Sequence, residues 1–178
     1  MIETIVDSIR VNLVTQNRVL FLREVEGDRH LPIWIGEFEA HAIAMELQGM
    51  SAQRPMPYDL IKALVGELSG TISRVLVTDL AQDIFYAKVV VEVGGQTVEI
   101  DSRPSDAIAI AVRARCPILV DDLVMDRAGI SIATDDDGAD DDSTGDSEET
   151  LTADQLGVFR EIINTLDLDD FEKRSSSS

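Results

Sequence analysis

Six side chains carry the chemistry this sequence could do: Glu39, Arg54, Asp59, Arg103, Ser105 and Asp106. All fall at the starts of expected helices or in the loops just before them. In a mixed sheet such positions share one rim, where binding sites commonly form. Carboxylates suit hard divalent cations, and guanidinium forks suit the oxygens of phosphates. A structural reading stands beside the chemical one. Asp59, Ser105 and Asp106 are good helix-capping residues, and Arg103 can pair with an acid.

Three of the six sit in residues 100–122, IDSRPSDAIAIAVRARCPILVDD. Residues 102–106 form a polar elbow after a strand. Pro104 lacks a backbone N–H and suits the first helical turn, where that donor has no partner anyway. Ser102, Ser105 and Asp106 are expected to offer oxygens to the free amides of that turn. Residues 107–112 follow without a polar break. A helix that is apolar all round is a buried one, so the polar cluster lies at the mouth of the most buried helix. A strand is expected over residues 117–120.

The other elements follow from periodicity. Residues 2–14 alternate as a half-buried strand, and residues 19–25 and 31–35 continue an antiparallel meander. Pro32 belongs at an edge or at a strand's first position. Helical spacing covers residues 37–48, with Glu37 and Glu39 in the first turn and Gly49 as C-cap. A second helix is expected over residues 60–68, capped by Asp59, with Leu60, Ile61, Leu64, Val65 and Leu68 as its buried stripe. Strands are expected over residues 72–80, 84–93 and 97–100, with Gly94-Gly95 as a tight hairpin between the last two. A short helix over residues 122–127 and a strand near residue 130 complete the body. The fold class is α+β: a mixed, largely antiparallel sheet with packed helices in one domain, residues 1–133.

The 178 residues suffice for that domain and a small appendage. The formal net charge of −19 is uneven. Residues 134–178 hold 15 acids against 3 bases, net −12, and residues 1–133 hold 19 against 12, net −7. This field works against a nonspecific electrostatic grip on nucleic acid. Nucleic-acid chemistry would need a local basic cluster, a bridging cation, or both. Residues 134–150 form an acidic linker, expected to be disordered. Residues 151–178 hold an amphipathic helix with Leu156, Phe159, Ile162, Ile163 and Leu166 on one face, then a serine tail.

The single Cys116 excludes an internal disulfide and reads as a small buried hydrophobe. No signal peptide or membrane span is apparent, so a soluble cytoplasmic protein is expected. No Walker loop, HExxH, CxxC or dinucleotide glycine fingerprint occurs. Of the two histidines, His30 is expected at an exposed hairpin. His41 shares a helix face with Glu37, which reads either as a surface pair or as a ligand pair.

Three ordered motifs, IGEFEAHAIAMELQG at residues 35–49, RPMPYDLI at 54–61 and SRPSDAIAIAVRARCPILV at 102–120, together resemble the bifunctional nuclease family. The resemblance runs from about residue 5 to residue 132. It implies a compact α/β domain with a mixed sheet and cleavage of both DNA and RNA. The acidic linker and C-terminal helix resemble the ends of the family's actinobacterial members. One position departs: relatives carry a histidine where this chain has Tyr58. A tyrosine, with a reference pKa of about 10, is a poor base at neutral pH.

The resulting expectation is a metal-assisted phosphodiesterase. Glu39, Asp59 and Asp106 would act as catalytic groups holding Mg²⁺ or Mn²⁺. Arg54 and Arg103, with Ser105, would grip the substrate phosphate. Exposed strand edges and the resemblance suggest a homodimer. The alternative is a non-enzymatic regulatory or protein-interaction module, in which the elbow only defines the fold.

Overall fold

The computed structural model describes residues 1–12 and 16–131. The expected linker and C-terminal helix lie outside these residues. The chain divides into two compact units, and nearly all described residues belong to the first, Met1–Val11 with Asn17–Ile132.

Strands β1 (Ile2–Val11), β2 (Arg18–Glu24) and β3 (Arg29–Ile35) form the expected antiparallel meander. Helices α1 (Glu37–Leu47) and α2 (Pro57–Glu67) follow. Then come β4 (Gly70–Ala81), β5 (Ile84–Val93) and β6 (Gln96–Ser102), antiparallel neighbours joined by tight turns. The last elements are α3 (Pro104–Ala114), β7 (Ile118–Val120), α4 (Asp122–Ala128) and β8 (Ile130–Ser131). All eight strands make one sheet in the order β6-β5-β4-β7-β1-β2-β3-β8. Among the described residues only the β4–β7 pair is parallel, because α3 crosses between β6 and β7. The architecture is therefore α+β with a mixed, mostly antiparallel sheet.

Pro32 faces Phe21 of β2, while β8 pairs only with Arg29 and His30 of β3. The missing N–H thus falls where no further strand needs it. Both glycines of the β5–β6 turn have positive φ (58° and 76°), the geometry such hairpins require.

Helix α3 is the packing centre. It touches α1, α2, β3, β4 and β5, and residues Ala107, Ile108, Ala109, Ile110 and Ala111 are buried. Its small alanines let the flanking helices come close.

Helix α2 overturns an expectation. It has no fully buried residue, and the predicted inward stripe is largely outside: Leu60, Leu64 and Leu68 are 54%, 52% and 73% exposed. Polar tethers cause this. Tyr58, Asp59 and Lys62 all bond to residues of α3, which turns their side of α2 inward and the leucines outward. The start of α2 also moves. Met56 is the N-cap, Pro57 opens the helix, and Asp59 lies three residues in, its carboxylate accepting from the Met56 N–H at 2.8 Å.

Helix α3 ends on Arg115 at φ 55°, ψ 42°, a left-handed conformation that disfavours a side chain. Arg115→Gly should therefore stabilise the domain by about 0.5–1 kcal/mol, the relieved strain outweighing the added chain entropy. A urea midpoint that rises at constant slope would show it; an unchanged or lower midpoint would contradict it.

Candidate functional site

Strand β6 delivers the chain to Arg103, the extended N-cap of α3 (φ −67°, ψ 145°), and Pro104 opens the helix. The expected side-chain caps do not form. Arg103 caps with its backbone only, and the Ser102 hydroxyl donates to the Arg103 carbonyl instead of accepting from an amide. Ser105 is buried, so its expected place at a substrate surface is not where the fold puts it.

Asp106 is used by Arg103. The Arg103 Nε donates to Asp106 Oδ2 at 2.6 Å and Nη2 donates to Oδ1 at 3.0 Å. The same Nη2 donates to Glu39 Oε1, on α1, at 2.7 Å. The Tyr58 hydroxyl, on α2, donates to Asp106 Oδ1 at 2.8 Å. Three helices thus meet at one guanidinium. The Arg103 side chain is 67% exposed, while Glu39 and Asp106 are 14% and 26% exposed. Its Nη1 donates to no group among the described residues and points the cluster's positive end at whatever approaches.

The electrostatics are one-sided. Hydrogen bonds to Asp106 first, and to Glu39 second, hold the Arg103 guanidinium well above its already high ordinary pKa. Burial, then the bond to Asp106, pushes the Tyr58 phenol far above the ordinary 10.0. Tyr58 is therefore a fixed donor and cannot serve as a general base.

A second cluster lies beside the first. Arg113 is 4% exposed, and each of its three nitrogens is engaged. Its Nε donates to Asp59 Oδ1 at 2.8 Å, Nη1 to the Ala109 carbonyl at 2.9 Å, and Nη2 to the Ala42 carbonyl at 3.0 Å. The guanidinium stands 5.4 Å from the centre of the Tyr58 ring. Lys62 donates to the Arg113 carbonyl at 2.7 Å. The sequence reading missed Arg113, although the signal was present. A lone charge seven residues after Asp106, on the same face of an otherwise apolar helix, must find a partner inside.

The fold therefore brings together Glu39, Arg103 and Asp106, and adds Tyr58. It gives Asp59 to Arg113 and the Met56 amide, and leaves Arg54 exposed on the loop before α2, without a hydrogen bond or ion pair among the described residues. Glu39, Asp59 and Asp106 do not form one donor set for Mg²⁺ or Mn²⁺: among the described residues no three His, Cys, Asp or Glu side chains gather in a way that could hold a metal ion. Glu37 pairs with Arg18 at 3.2 Å, so the expected Glu37–His41 pair does not form. His30 is half-buried on β3, its Nδ1 2.9 Å from the Asp28 carbonyl. Burial raises the Cys116 thiol above its ordinary value, which suits an inert hydrophobe.

The profile of the bifunctional nuclease domain matches residues 20–133, more than half of the chain and all of the elements that meet at Arg103. The chain belongs to the bifunctional nuclease domain family. It is 38% identical over 170 residues to an uncharacterized protein of Mycobacterium tuberculosis, covering 96% of this chain and 98% of that one. It is also similar to the plant proteins Bifunctional nuclease 1 of Arabidopsis thaliana (31% over 93 residues, 51% of this chain and 29% of the plant protein) and of Oryza sativa subsp. japonica (26% over 117 residues, 64% and 35%). The chain thus spans about a third of the plant proteins. No helix among the described residues is long and apolar enough to cross a membrane.

Two tests follow from the paired arginines of this bifunctional nuclease domain. Arg113→Ala removes a donor from Asp59 and from two buried helix carbonyls and should cost on the order of 3 kcal/mol in chemical denaturation; a loss below about 1 kcal/mol would mean the network contributes little. Tyr58 keeps its proton in the fold past the pH where an unfolded tyrosine loses it. Its stabilisation is then complete below pH 10.0 and is lost as pH climbs toward the raised value. Tyrosinate absorbance should show a component that appears only above that pH and disappears in Tyr58→Phe.

Proposed function

We propose that this domain hydrolyses phosphodiester bonds of DNA and RNA, in the cytoplasm, at the Arg103 cluster. Family membership supports the reaction class. The observation that carries the site is an exposed guanidinium held rigid by two carboxylates, with one fork nitrogen left for an anion. Arg103 Nη1 takes a non-bridging phosphate oxygen and balances the charge that grows there during attack.

Glu39 is the base in this reading. Its Oε1 is engaged by Arg103, whereas Oε2 has no hydrogen-bond partner among the described residues. Both Asp106 oxygens are occupied, so Asp106 and Tyr58 orient Arg103 and do not take a proton. Water gives a proton to Glu39 Oε2 as its oxygen bonds to phosphorus. The opposite phosphorus–oxygen bond breaks, and the leaving oxygen takes a proton from solvent. Gly36 makes room for this carboxylate: a Cβ there would lie 2.2 Å from Glu39 Oε2.

A second reading has its own support. Because Asp106 is saturated by contacts from α2 and α3, the cluster also reads as a clasp that joins three helices in a non-enzymatic binding module.

One assay separates the two. Purified full-length protein is given single-stranded DNA, duplex DNA and RNA at low salt, with Mg²⁺, Mn²⁺ or EDTA. The cation arms read whether the divalent metal expected from the sequence is required. Arg103→Ala and Glu39→Gln should each lower kcat/KM on the order of 100-fold, about 2.7 kcal/mol of transition-state stabilisation. Gly36→Ala should lower it too with little loss of stability, since the clashing oxygen is the free end of a flexible side chain. No turnover on any substrate, or full turnover in all three variants, would remove the enzymatic reading in favour of the clasp.

A further inference from the structure

The most exposed large apolar side chain among the described residues is Phe38, 84% exposed on the first turn of α1. A single apolar residue at the surface is ordinary. The position of this one is not. It precedes Glu39, whose carboxylate holds the Arg103 guanidinium at 2.7 Å. Neighbouring residues of a helix lie about 100° apart round its axis, and their side chains lean toward the N-terminal end. Glu39 leans that way, since a Cβ on Gly36 would clash with its Oε2. The Phe38 ring therefore stands beside the Glu39–Arg103 pair and leaves the guanidinium open.

We infer that Phe38 is a stacking platform for an unpaired base, and that the Arg103 site thereby selects single-stranded over duplex nucleic acid. The inference rests on the phosphodiesterase reading of that site. With a phosphate on Arg103 Nη1, the group that a flat apolar ring beside it meets is the base of an adjoining nucleotide. Ion pairs and not bare acids flank the ring: Glu37 is held by Arg18 at 3.2 Å and Glu39 by Arg103. Exposed aromatic rings stack on bases with a gain on the order of 10–100-fold in affinity per base, and with little regard to which base it is.

Charge makes such a contact necessary. The chain carries −19 overall and repels a phosphate backbone, and duplex DNA brings about twice the charge per unit length of one strand. Within the cluster one guanidinium faces two carboxylates, so the grip on phosphate is a single fork nitrogen and not a basic groove. Affinity for a polynucleotide must then come from an uncharged contact. Phe38 supplies an exposed ring next to the grip.

A duplex cannot use the ring. Each of its bases has both faces covered by its neighbours in the stack. To reach Phe38 one base would have to flip out, which costs about as much as a single stack returns. The bases of a single strand turn out at less cost, so only there does the ring add to affinity. Phe38 touches no reacting atom. It sets which strand is held and where it lies, while Arg103 and Glu39 act on the phosphate.

Fluorescence anisotropy of the full chain at low salt, with Mg²⁺ or EDTA, tests this. The probes are a labelled oligothymidylate with hydrolysis-resistant phosphorothioate links, its duplex with oligoadenylate, and an abasic strand of the same length. The intact strand should bind on the order of 10–100-fold tighter than the other two. Phe38→Ala should lose that advantage while its duplex and abasic affinities stay within about 2-fold of wild type. Phe38→Trp should keep it. The ring supports no core, so the urea midpoint of Phe38→Ala should match wild type. On cleavable single strands the loss should fall on KM with kcat held. Phe38→Ala that binds the intact strand as wild type does overturns the inference. So does wild-type protein that binds neither strand, favours the duplex or ignores the missing bases. Turnover that is absent, or that survives Arg103→Ala, while binding still needs both the base and Phe38, supports the platform and overturns only the reaction proposed above.

Discussion

The structure depends on one buried positive charge. Arg113 lies on the most buried helix at 4% exposure, and a guanidinium out of water must have its donors satisfied. It finds a carbonyl on its own helix, a carbonyl on α1 and a carboxylate on α2. Those three bonds decide how the helices sit. Asp59 can reach Arg113 only if the polar side of α2 turns toward α3. That rotation carries Tyr58 to Asp106 and exposes the leucines. Hydrophobic burial alone would have turned α2 the other way, saving on the order of 1 kcal/mol for each half-exposed leucine. The penalty for an unpaired buried cation is larger, several kcal/mol, so the arginine wins.

The site follows from the same frame. Arg103 stands ten residues earlier on the same chain segment, at the open end of α3. Arg113 ties α1 and α2 to that helix from inside, and Arg103 ties them to it from the surface, directly through Glu39 and by way of Asp106 through Tyr58. The inner arginine is a structural group with each of its three nitrogens engaged. The outer one keeps a donor in solvent. Two arginines with similar partners thus differ in what they can do, and solvent exposure makes the difference.

Much of this was legible in residues and spacing. Alternation gave the meander, Gly94-Gly95 marked the β5–β6 hairpin because only glycines adopt that turn without strain, and the unbroken apolar run announced α3. The turn at Gln82 and Asp83, with φ of 52° and 60°, carries no such mark, although the strands on either side did. Glu39, Arg103 and Asp106 were legible as helix-start residues, and the fold joins them. Asp59 has the same signature and serves a different partner, because a helix start says where a carboxylate is and not which cation claims it. The orientation of α2 was not legible. Its amphipathic pattern was read as a buried stripe, since counting apolar positions weighs area and ignores a charge on another helix.

The tyrosine at position 58 shows how one residue redistributes roles. A neutral histidine could accept a proton; a phenol held far above its ordinary pKa can only donate. Once Tyr58 donates to Asp106, and Arg103 fills both Asp106 oxygens, neither oxygen is left open to water. Among the described residues, Glu39 then holds the one carboxylate oxygen of the cluster without a partner, its Oε2, in the space that Gly36 leaves. In the proposed mechanism the base therefore lies on α1, and the guanidinium stays at the start of α3. The proposed mechanism asks two things of α1: a glycine just before its first turn and an acid on that turn.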